Sequence, residues 1–143
     1  MLIREVVTGK GRPDVITIVP DAGVRELLAL LAEHNIGAVV VSADGSTVAG
    51  IVSERDVVRK LNSDPDVLDA TVASIMTTSV HSVAPDDSLD DIRRLMTERR
   101  FRHVPVVADG SLTGIISIGD VVKAYIDQVE FEREQLESYV HQT

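Results

Sequence analysis

The sequence Gly50-Ile51-Val52-Ser53-Glu54-Arg55-Asp56 returns, with changes, as Gly114-Ile115-Ile116-Ser117-Ile118-Gly119-Asp120. In each copy an apolar strand ends at a serine, an aspartate follows three residues later, and an amphipathic run comes next. Ser-x-x-Asp before an apolar run is the signature of a helix capping box, which needs no ligand. The same pattern also brings a hydroxyl, a carboxylate and free backbone N–H groups together, which suits a ribose and its phosphate. A single copy favours the cap, whereas two copies inside a longer repeat favour the binding site.

The repeat extends well beyond these two stretches. Pro20 and Pro85 are 65 residues apart, and Gly50 and Gly114 are 64 residues apart. Periodicity predicts strands at 15–19, 38–41 and 48–53 with helices beginning at 24 and spanning 54–61 in the first copy. In the second copy it predicts strands at 80–83, 103–107 and 112–117 with helices at 89–99 and 118–126. The chain is therefore two copies of one β-α-β-β-α unit.

Composition limits the class of protein. The 143 residues are 44% hydrophobic and 3% aromatic, so the core must be aliphatic. There is no cysteine, which excludes disulfides and thiolate sites and fits a reducing cytoplasm. The net charge of −9 argues against general binding to nucleic acid or to an anionic membrane. No apolar run reaches the roughly 18 residues of a membrane-spanning helix, and the N-terminus does not resemble a signal peptide. We expect a soluble cytoplasmic protein.

Catalytic and metal-binding patterns are not found in the sequence. The four histidines (His34, His81, His103 and His141) have no i, i+4 pair, so no metal site is predicted. There is no Walker loop and no Gly-x-Ser-x-Gly elbow. Asp86-Asp87 precedes a predicted helix, where negative charge favours the helix dipole. An enzyme is not expected.

With Pro-Asp before the first helix and Gly-h-h-Ser-x-x-Asp (h, hydrophobic) before the second, the two units resemble a tandem pair of CBS domains, a Bateman module. The segment 99–107 (Arg-Arg-Phe-Arg-His-Val-Pro-Val-Val) and the lead-in Ile75-Met76-Thr77 are typical of the same family. The resemblance covers about residues 3–126 and is closest to small stand-alone CBS pairs. It implies an α/β (α+β) fold in which the two repeats pack about a pseudo-twofold axis and leave two related clefts. The predicted parts are repeat 1 with its lead-in (1–62), a connector (63–79), repeat 2 (80–126) and a helical tail (127–143).

The resemblance also implies a function. Such modules are regulatory: they bind AMP, ADP, ATP or NAD, less readily S-adenosylmethionine, and commonly form homodimers that report the energy state of the cell. Ligand binding would alter the conformation or the binding of a downstream protein that the sequence does not name. The alternative is a dimeric interaction protein without a ligand, whose Ser-x-x-Asp elements are only helix caps.

Roles follow for individual residues. Asp56 and Asp120 are predicted to accept hydrogen bonds from the ribose hydroxyls. The predicted phosphate-binding residues are Ser53, Ser117, Arg55, Arg99, Arg102 and His103. The adenine slot beside Asp56 is predicted to contain Thr17, Ile18, Ile36, Gly37 and Ala38. The slot beside Asp120 is predicted to contain His81, Ser82, Val83, Phe101, Pro105 and the pair Arg102-His103.

Three alternatives stay open at this point. Gly37 either lets a base approach the backbone or belongs to a helix C-cap. The cluster of Arg99, Arg100, Arg102 and His103 either neutralises phosphates or complements the dipole at a helix end. The tail is either a solvated helix docked on its own domain or a dimer contact. Because Gly37 aligns with Arg102, and Gly119 with Arg55, the two clefts are not expected to be equivalent.

Overall fold

The computed structural model describes residues 1–10 and 15–141. Gly and Pro in the segment 9–14 predict a loop, and part of this segment and the end of the tail lie outside the described residues. Within this part the order of elements is α1 (Ile3–Gly9), β1 (Thr17–Ile18), α2 (Val24–His34), β2 (Ala38–Val41), β3 (Gly50–Ser53), α3 (Glu54–Ser63), a 3₁₀ turn (Val67–Asp69), α4 (Val72–Ile75), α5 (Leu89–Arg99), β4 (His103–Ala108), β5 (Ser111–Ser117) and α6 (Ile118–His141).

Two small sheets repeat the same design. β2 pairs with parallel β1 on one side and with antiparallel β3 on the other, while β4 pairs with antiparallel β5. The registers are equivalent, because Ala38 faces Ser53 in one sheet and His103 faces Ser117 in the other. Both first helices end in a residue with left-handed backbone, Asn35 after α2 and Arg100 after α5. The mixed α/β fold with two related units is therefore confirmed.

The first strand of the second repeat is much shorter than predicted. Only one parallel bridge joins it to β4, with the N–H of Val83 donating to the carbonyl of Pro105 (3.0 Å) and the N–H of Val107 donating to Val83 (2.8 Å). The next bond of such a ladder, to residue 81, needs the N–H of residue 105, which proline lacks. Val40 holds the equivalent place in repeat 1, where Thr17–Ile18 forms a strand. The predicted strand at 80–83 is wrong, and Pro105 is the physical reason.

Each repeat receives its lead-in helix from the other. Ile3 and Val6 of α1 are buried in the core of repeat 2, together with Leu89, Val104 and Ile116. In the same way Val72 of α4 is buried in the core of repeat 1. The backbone contacts are matched as well, since Ile3 N–H donates to Asp87 O (2.9 Å) and Val72 N–H donates to Ala22 O (2.8 Å). The two repeats therefore exchange their lead-in helices. Each hydrophobic core contains residues from both sequence repeats.

Equivalent residues meet where the two repeats join. Ser46 and Ser111 occupy matching places in the two hairpin loops, and their Oγ atoms lie 3.2 Å apart. The N–H of Leu112 also donates to the carbonyl of Ser46 at 2.8 Å. Contact between equivalent residues is what a twofold relation requires, so the pseudo-twofold axis passes close to these loops.

The helix predicted at 118–126 and the described part of the predicted tail, residues 127–141, form one continuous helix. α6 buries Val121 and Ala124 against repeat 2, but from Val129 to His141 all of its residues are exposed. The described part of the tail is therefore not docked on its own domain. Its exposed apolar side chains include Val129, Leu136 and Val140.

Candidate functional site

Both Ser-x-x-Asp elements form reciprocal helix caps. At the start of α3 the N–H of Ser53 donates to Oδ2 of Asp56 (2.8 Å), and the N–H of Asp56 donates to Oγ of Ser53 (3.3 Å). At the start of α6 the matching distances between Ser117 and Asp120 are 2.9 and 3.1 Å. The capping interpretation is therefore confirmed. The caps do not use the whole of either carboxylate. Among the described residues, the hydrogen bonds to Asp56 and Asp120 all go to Oδ2, so Oδ1 of each aspartate stays available to a ligand.

The cleft beside Asp120 is the larger of the two. It encloses about 610 Å³, within the range of small-molecule sites. Its walls come from both repeats and from α1. The predicted site residues that line it are Ile36, Gly37, Ala38, His103, Ser117 and Asp120, and other residues around it include Glu5, Lys10, Val15, Ile16, Gly114, Ile115, Lys123 and Asp127.

Lys10 is a central residue of this cleft that sequence reasoning missed. Its Nζ donates to Oδ2 of Asp120 (2.8 Å) and to the carbonyl of Ile115 (2.8 Å). Both partners of the ion pair are largely buried, with the Lys10 side chain 26% and the Asp120 side chain 22% exposed. The two residues meet because α1 crosses to repeat 2. No local pattern in the sequence signals that contact.

The surroundings in the cleft lower the pKa of two of its side chains, Asp120 and His103. Burial alone would raise the pKa of Asp120, but the hydrogen bonds from Lys10 and from the Ser117 N–H outweigh it, so the pKa falls below its ordinary value. Burial lowers the pKa of His103, and the charge of Lys10 lowers it further, against the opposing effect of Asp120 and Glu54. Asp120 is therefore ionised at neutral pH, and His103 is mainly neutral.

The pocket of Asp56 is the smaller one, and the strand that leads to Asp56 is closely packed by Met76 and Thr77. Thr77 exchanges two backbone hydrogen bonds with Ile51 (2.9 and 3.0 Å). A Cβ placed on Gly50 would lie 2.7 Å from the carbonyl oxygen of Thr77 and 2.9 Å from Sδ of Met76, so this close approach requires glycine. What remains beside Asp56 is a pocket of about 250 Å³ lined by Asp56, Arg59, Lys60, Ser63, Ser74 and Ile75. The expected difference between the two clefts is present.

One predicted grouping is corrected. Ile36, Gly37 and Ala38 line the cleft of Asp120 and do not line the pocket of Asp56. Gly37 is also not the residue that ends α2, because Asn35 takes the left-handed conformation (φ 52°). A Cβ on Gly37 would be 3.8 Å from Cε1 of His103 and 3.5 Å from Oε1 of Glu54, so the glycine keeps this edge of the cleft open.

The other predicted site residues lie away from the large cleft. Ile18 and Val83 are core residues, and Pro105 is buried within β4. The ring of His81 stacks on Phe101, with the centroids 6.0 Å apart. Of the basic cluster only His103 reaches the cleft. The residues that line neither cleft are Thr17, Ile18, Ser53, Arg55, His81, Ser82, Val83, Arg99, Arg100, Phe101, Arg102 and Pro105. Their predicted contacts with ligand stay predictions.

The described residues form neither a metal-binding cluster nor a membrane-spanning helix. Within residues 1–10 and 15–141, no group of three or more His, Cys, Asp or Glu side chains is arranged to hold a metal ion. None of the helices in that part of the chain is long and apolar enough to cross a membrane.

Comparison with known protein families gives a clear match. The family model for the CBS domain matches the chain twice, over residues 3–63 and 72–127. The mitochondrial CBS domain-containing protein CBSX3 of Arabidopsis thaliana is 33% identical over 146 residues, covering 96% of this chain and 71% of the relative. The CBS domain-containing protein YhcV of Bacillus subtilis is 30% identical over 107 residues, covering 75% of this chain and 76% of the relative.

Solved structures agree with this match. The crystal structure of the CBS-domain containing protein ATU1752 from Agrobacterium tumefaciens has a TM-score of 0.82 at 39% identity and covers 87% of this chain and 99% of that one. The CBS domain pair of the protein MJ0100, in complex with 5′-methylthioadenosine and S-adenosyl-L-methionine, has a TM-score of 0.77 and covers 87% of this chain and 99% of that one. Its identity is 22%, so this likeness shows the fold alone.

Proposed function

We propose that this chain, which belongs to the CBS domain family, is a regulatory module that binds an adenine nucleotide in the cleft of Asp120. The observation that carries the proposal is an ionised carboxylate beside a hydroxyl at a helix N-terminus, opening on a cavity of about 610 Å³. In this proposal Oδ1 of Asp120 accepts a hydrogen bond from a ribose hydroxyl. A carboxylate accepts only, so it matches a vicinal diol.

The rest of the nucleotide has matching partners. The phosphate lies near Ser117, where the first N–H groups and the dipole of α6 favour negative charge. The adenine lies against the apolar wall, which includes Ile16, Ile36 and Ala38. The 250 Å³ pocket beside Asp56 is a weaker second site in this account, with Arg59 and Lys60 at its rim.

AMP, ADP, ATP and NAD are the proposed ligands, and S-adenosylmethionine is the less favoured one. All five carry the adenosine group that the carboxylate and the apolar wall would recognise. The choice among them rests on the residues of this cleft and not on the ligands of MJ0100, because that likeness supports only the fold.

Regulation would follow from the composition of the cleft. Its lining combines Gly37 from repeat 1, Asp120 from repeat 2 and Lys10, the residue that follows α1. A ligand that touches all three favours one arrangement of the repeats over others, and such a difference in affinity between states is what a sensor requires. A downstream protein would then bind one arrangement of the repeats more tightly than the other.

We further propose a homodimer formed through α3 and α6. Val58 and Val122 occupy equivalent places on these helices and are both exposed, as are Leu61 and Tyr125. Paired exposed apolar residues on symmetry-related helices suit a second copy of the chain, since large exposed apolar patches mark interaction sites. Size-exclusion chromatography with light scattering should give twice the chain mass for the wild type and the monomer mass for Val122→Asp.

The alternative function, a dimeric interaction protein without a ligand, has support of its own. The caps of α3 and α6 are complete within the chain, so neither aspartate needs a nucleotide to explain it. Thermal unfolding with AMP, ADP, ATP, NAD and S-adenosylmethionine separates the two functions. A ligand at 100 times its dissociation constant stabilises the folded state by about 2.7 kcal/mol. A melting temperature unchanged by all five, in a protein that is still dimeric, would favour the alternative.

A further inference from the structure

Lys10 holds its ammonium group inside the cleft by two bonds. One goes to Oδ2 of Asp120 and the other to the backbone carbonyl of Ile115, both at 2.8 Å. A lysine ammonium has three donors, so a third remains for another acceptor. Because the Ile115 carbonyl does not depend on Asp120, it keeps the ammonium in the cleft even when the carboxylate changes partner.

A ribose bound at Asp120 competes with Lys10. In the proposed complex Oδ1 accepts one ribose hydroxyl, and a second hydroxyl that uses Oδ2 meets an oxygen that already accepts from Ser117 N–H and from Lys10 Nζ. A ligand that takes this oxygen leaves a largely buried ammonium without its counter-charge. Such a loss is costly unless another anion replaces the carboxylate.

We propose that Lys10 makes this cleft selective for adenine ligands that carry a 5′-phosphate, because its ammonium pairs with Asp120 in the free protein and with the ligand's phosphate in the complex. The inference rests on the proposed function and names the ligand class of the same site. A free nucleoside offers no anion to Lys10, and S-adenosylmethionine carries a sulfonium cation where AMP carries its 5′-phosphate. Both are therefore weaker ligands than AMP.

Among the described basic side chains that line the cleft, Lys10 is the one whose charged group is held in place by hydrogen bonds. His103 is held mainly neutral at pH 7 by its burial and by the charge of Lys10 itself. Lys123 also lines the cavity, but it is an exposed residue and makes no ion pair within the described residues. The acidic side chains at the rim include Glu5, which is engaged by the N–H of Leu2 at 2.7 Å.

Calorimetric titration with AMP and with adenosine tests the proposal on the wild type, Lys10→Met and Arg133→Met. Methionine keeps the aliphatic stem of lysine and removes the charge. We expect Lys10→Met to weaken AMP binding about tenfold or more, since hydrogen bonds to charged groups are the strong ones. Adenosine binding should stay unchanged or become tighter, because Asp120 is released. Arg133→Met is the control: it also removes one positive charge, from the exposed part of α6 outside both pockets, and should change both affinities by less than about threefold, as a solvated cation contributes little.

The outcomes separate this inference from the function on which it rests. If the wild type binds AMP and Lys10→Met loses AMP and adenosine affinity by the same factor, or loses neither, the inference is overturned and the nucleotide site stands. If the wild type binds neither AMP nor adenosine, this inference is overturned, and the thermal test with ADP, ATP and NAD decides whether the nucleotide site stands. A ligand-free NMR titration gives a second readout: the pKa of the Asp120 carboxyl should rise in Lys10→Met and stay unchanged in Arg133→Met. An unchanged pKa in Lys10→Met would contradict the ion pair.

Discussion

Replacing Asp120 by asparagine should destabilise the protein more than the same change at Asp56. Both aspartates cap a helix in the same way, and asparagine can still accept the serine N–H, so much of each cap survives. Both variants lose the favourable charge at a helix N-terminus, worth about 0.3–1 kcal/mol each. Only Asp120→Asn also removes the counter-charge of Lys10.

The size of the difference follows from that ion pair. Hydrogen bonds to charged groups contribute about 1.5–3 kcal/mol, and partial exposure of both side chains reduces this through solvent screening. We therefore expect Asp120→Asn to lose about 1–2 kcal/mol of unfolding free energy beyond the loss in Asp56→Asn. Urea unfolding of the ligand-free proteins at pH 7 measures this difference directly.

The pH dependence gives the same prediction a second test. The pKa of Asp120 in the folded protein lies below its ordinary value of 3.8, so its stabilisation is complete above that value and is lost as the pH falls through the folded pKa. The gap between wild type and Asp120→Asn should therefore be equal at pH 7 and pH 5 and should shrink below about pH 3.8. Equal losses in Asp56→Asn and Asp120→Asn at pH 7 would refute the role given to Lys10.

Three further predictions concern single residues. Gly37→Leu should abolish the rise in melting temperature with AMP. The ligand-free melting temperature should stay nearly unchanged, because a Cβ there meets only ordinary contacts. A normal AMP response would contradict the place of Gly37 at the edge of the nucleotide cleft. Pro105→Val should restore a ladder N–H and stabilise the protein by about 0.5–1.5 kcal/mol, seen as slow hydrogen exchange at residue 105, whereas fast exchange would count against the explanation. The contribution of His103 to the free energy of unfolding should be constant above pH 6.5 and should decrease below it, since the pKa of His103 is lowered from 6.5 in the folded state. If His103→Gln leaves the pH profile of stability unchanged, another group is responsible.

Much of the fold could be predicted from local sequence. The helix at 89–99 and the strand at 38–41 agree with α5 and β2, because strong apolar patterns and turn residues mark their ends. The offset between the two copies predicted two copies of one unit, and the family resemblance implied the twofold relation. Local pattern failed where a distant residue decides the outcome. The strand at 80–83 depends on a proline 22 residues beyond its end.

The site was harder to predict for the same reason. Asp120 and Ser117 are recognisable because they belong to a repeated motif. Lys10 lies 110 residues away from Asp120 and reaches it only because α1 packs on the opposite repeat. Ile36, Gly37 and Ala38 line the cleft of Asp120 because the two repeats meet there, and the sequence gives no local signal for that contact. Periodicity reports which face of an element is buried, but not against which partner.

Chemical-shift mapping with AMP tests the central claim most directly. The account predicts that, as AMP is added, the largest amide shifts appear at Gly37, Gly114 and Ser117 around the Asp120 cleft. Shifts at Ser63 and Ser74 beside Asp56 should be small or should need a much higher concentration. Shifts that are largest beside Asp56, or no shifts at saturating AMP, would contradict the claim that the Asp120 cleft is the nucleotide site.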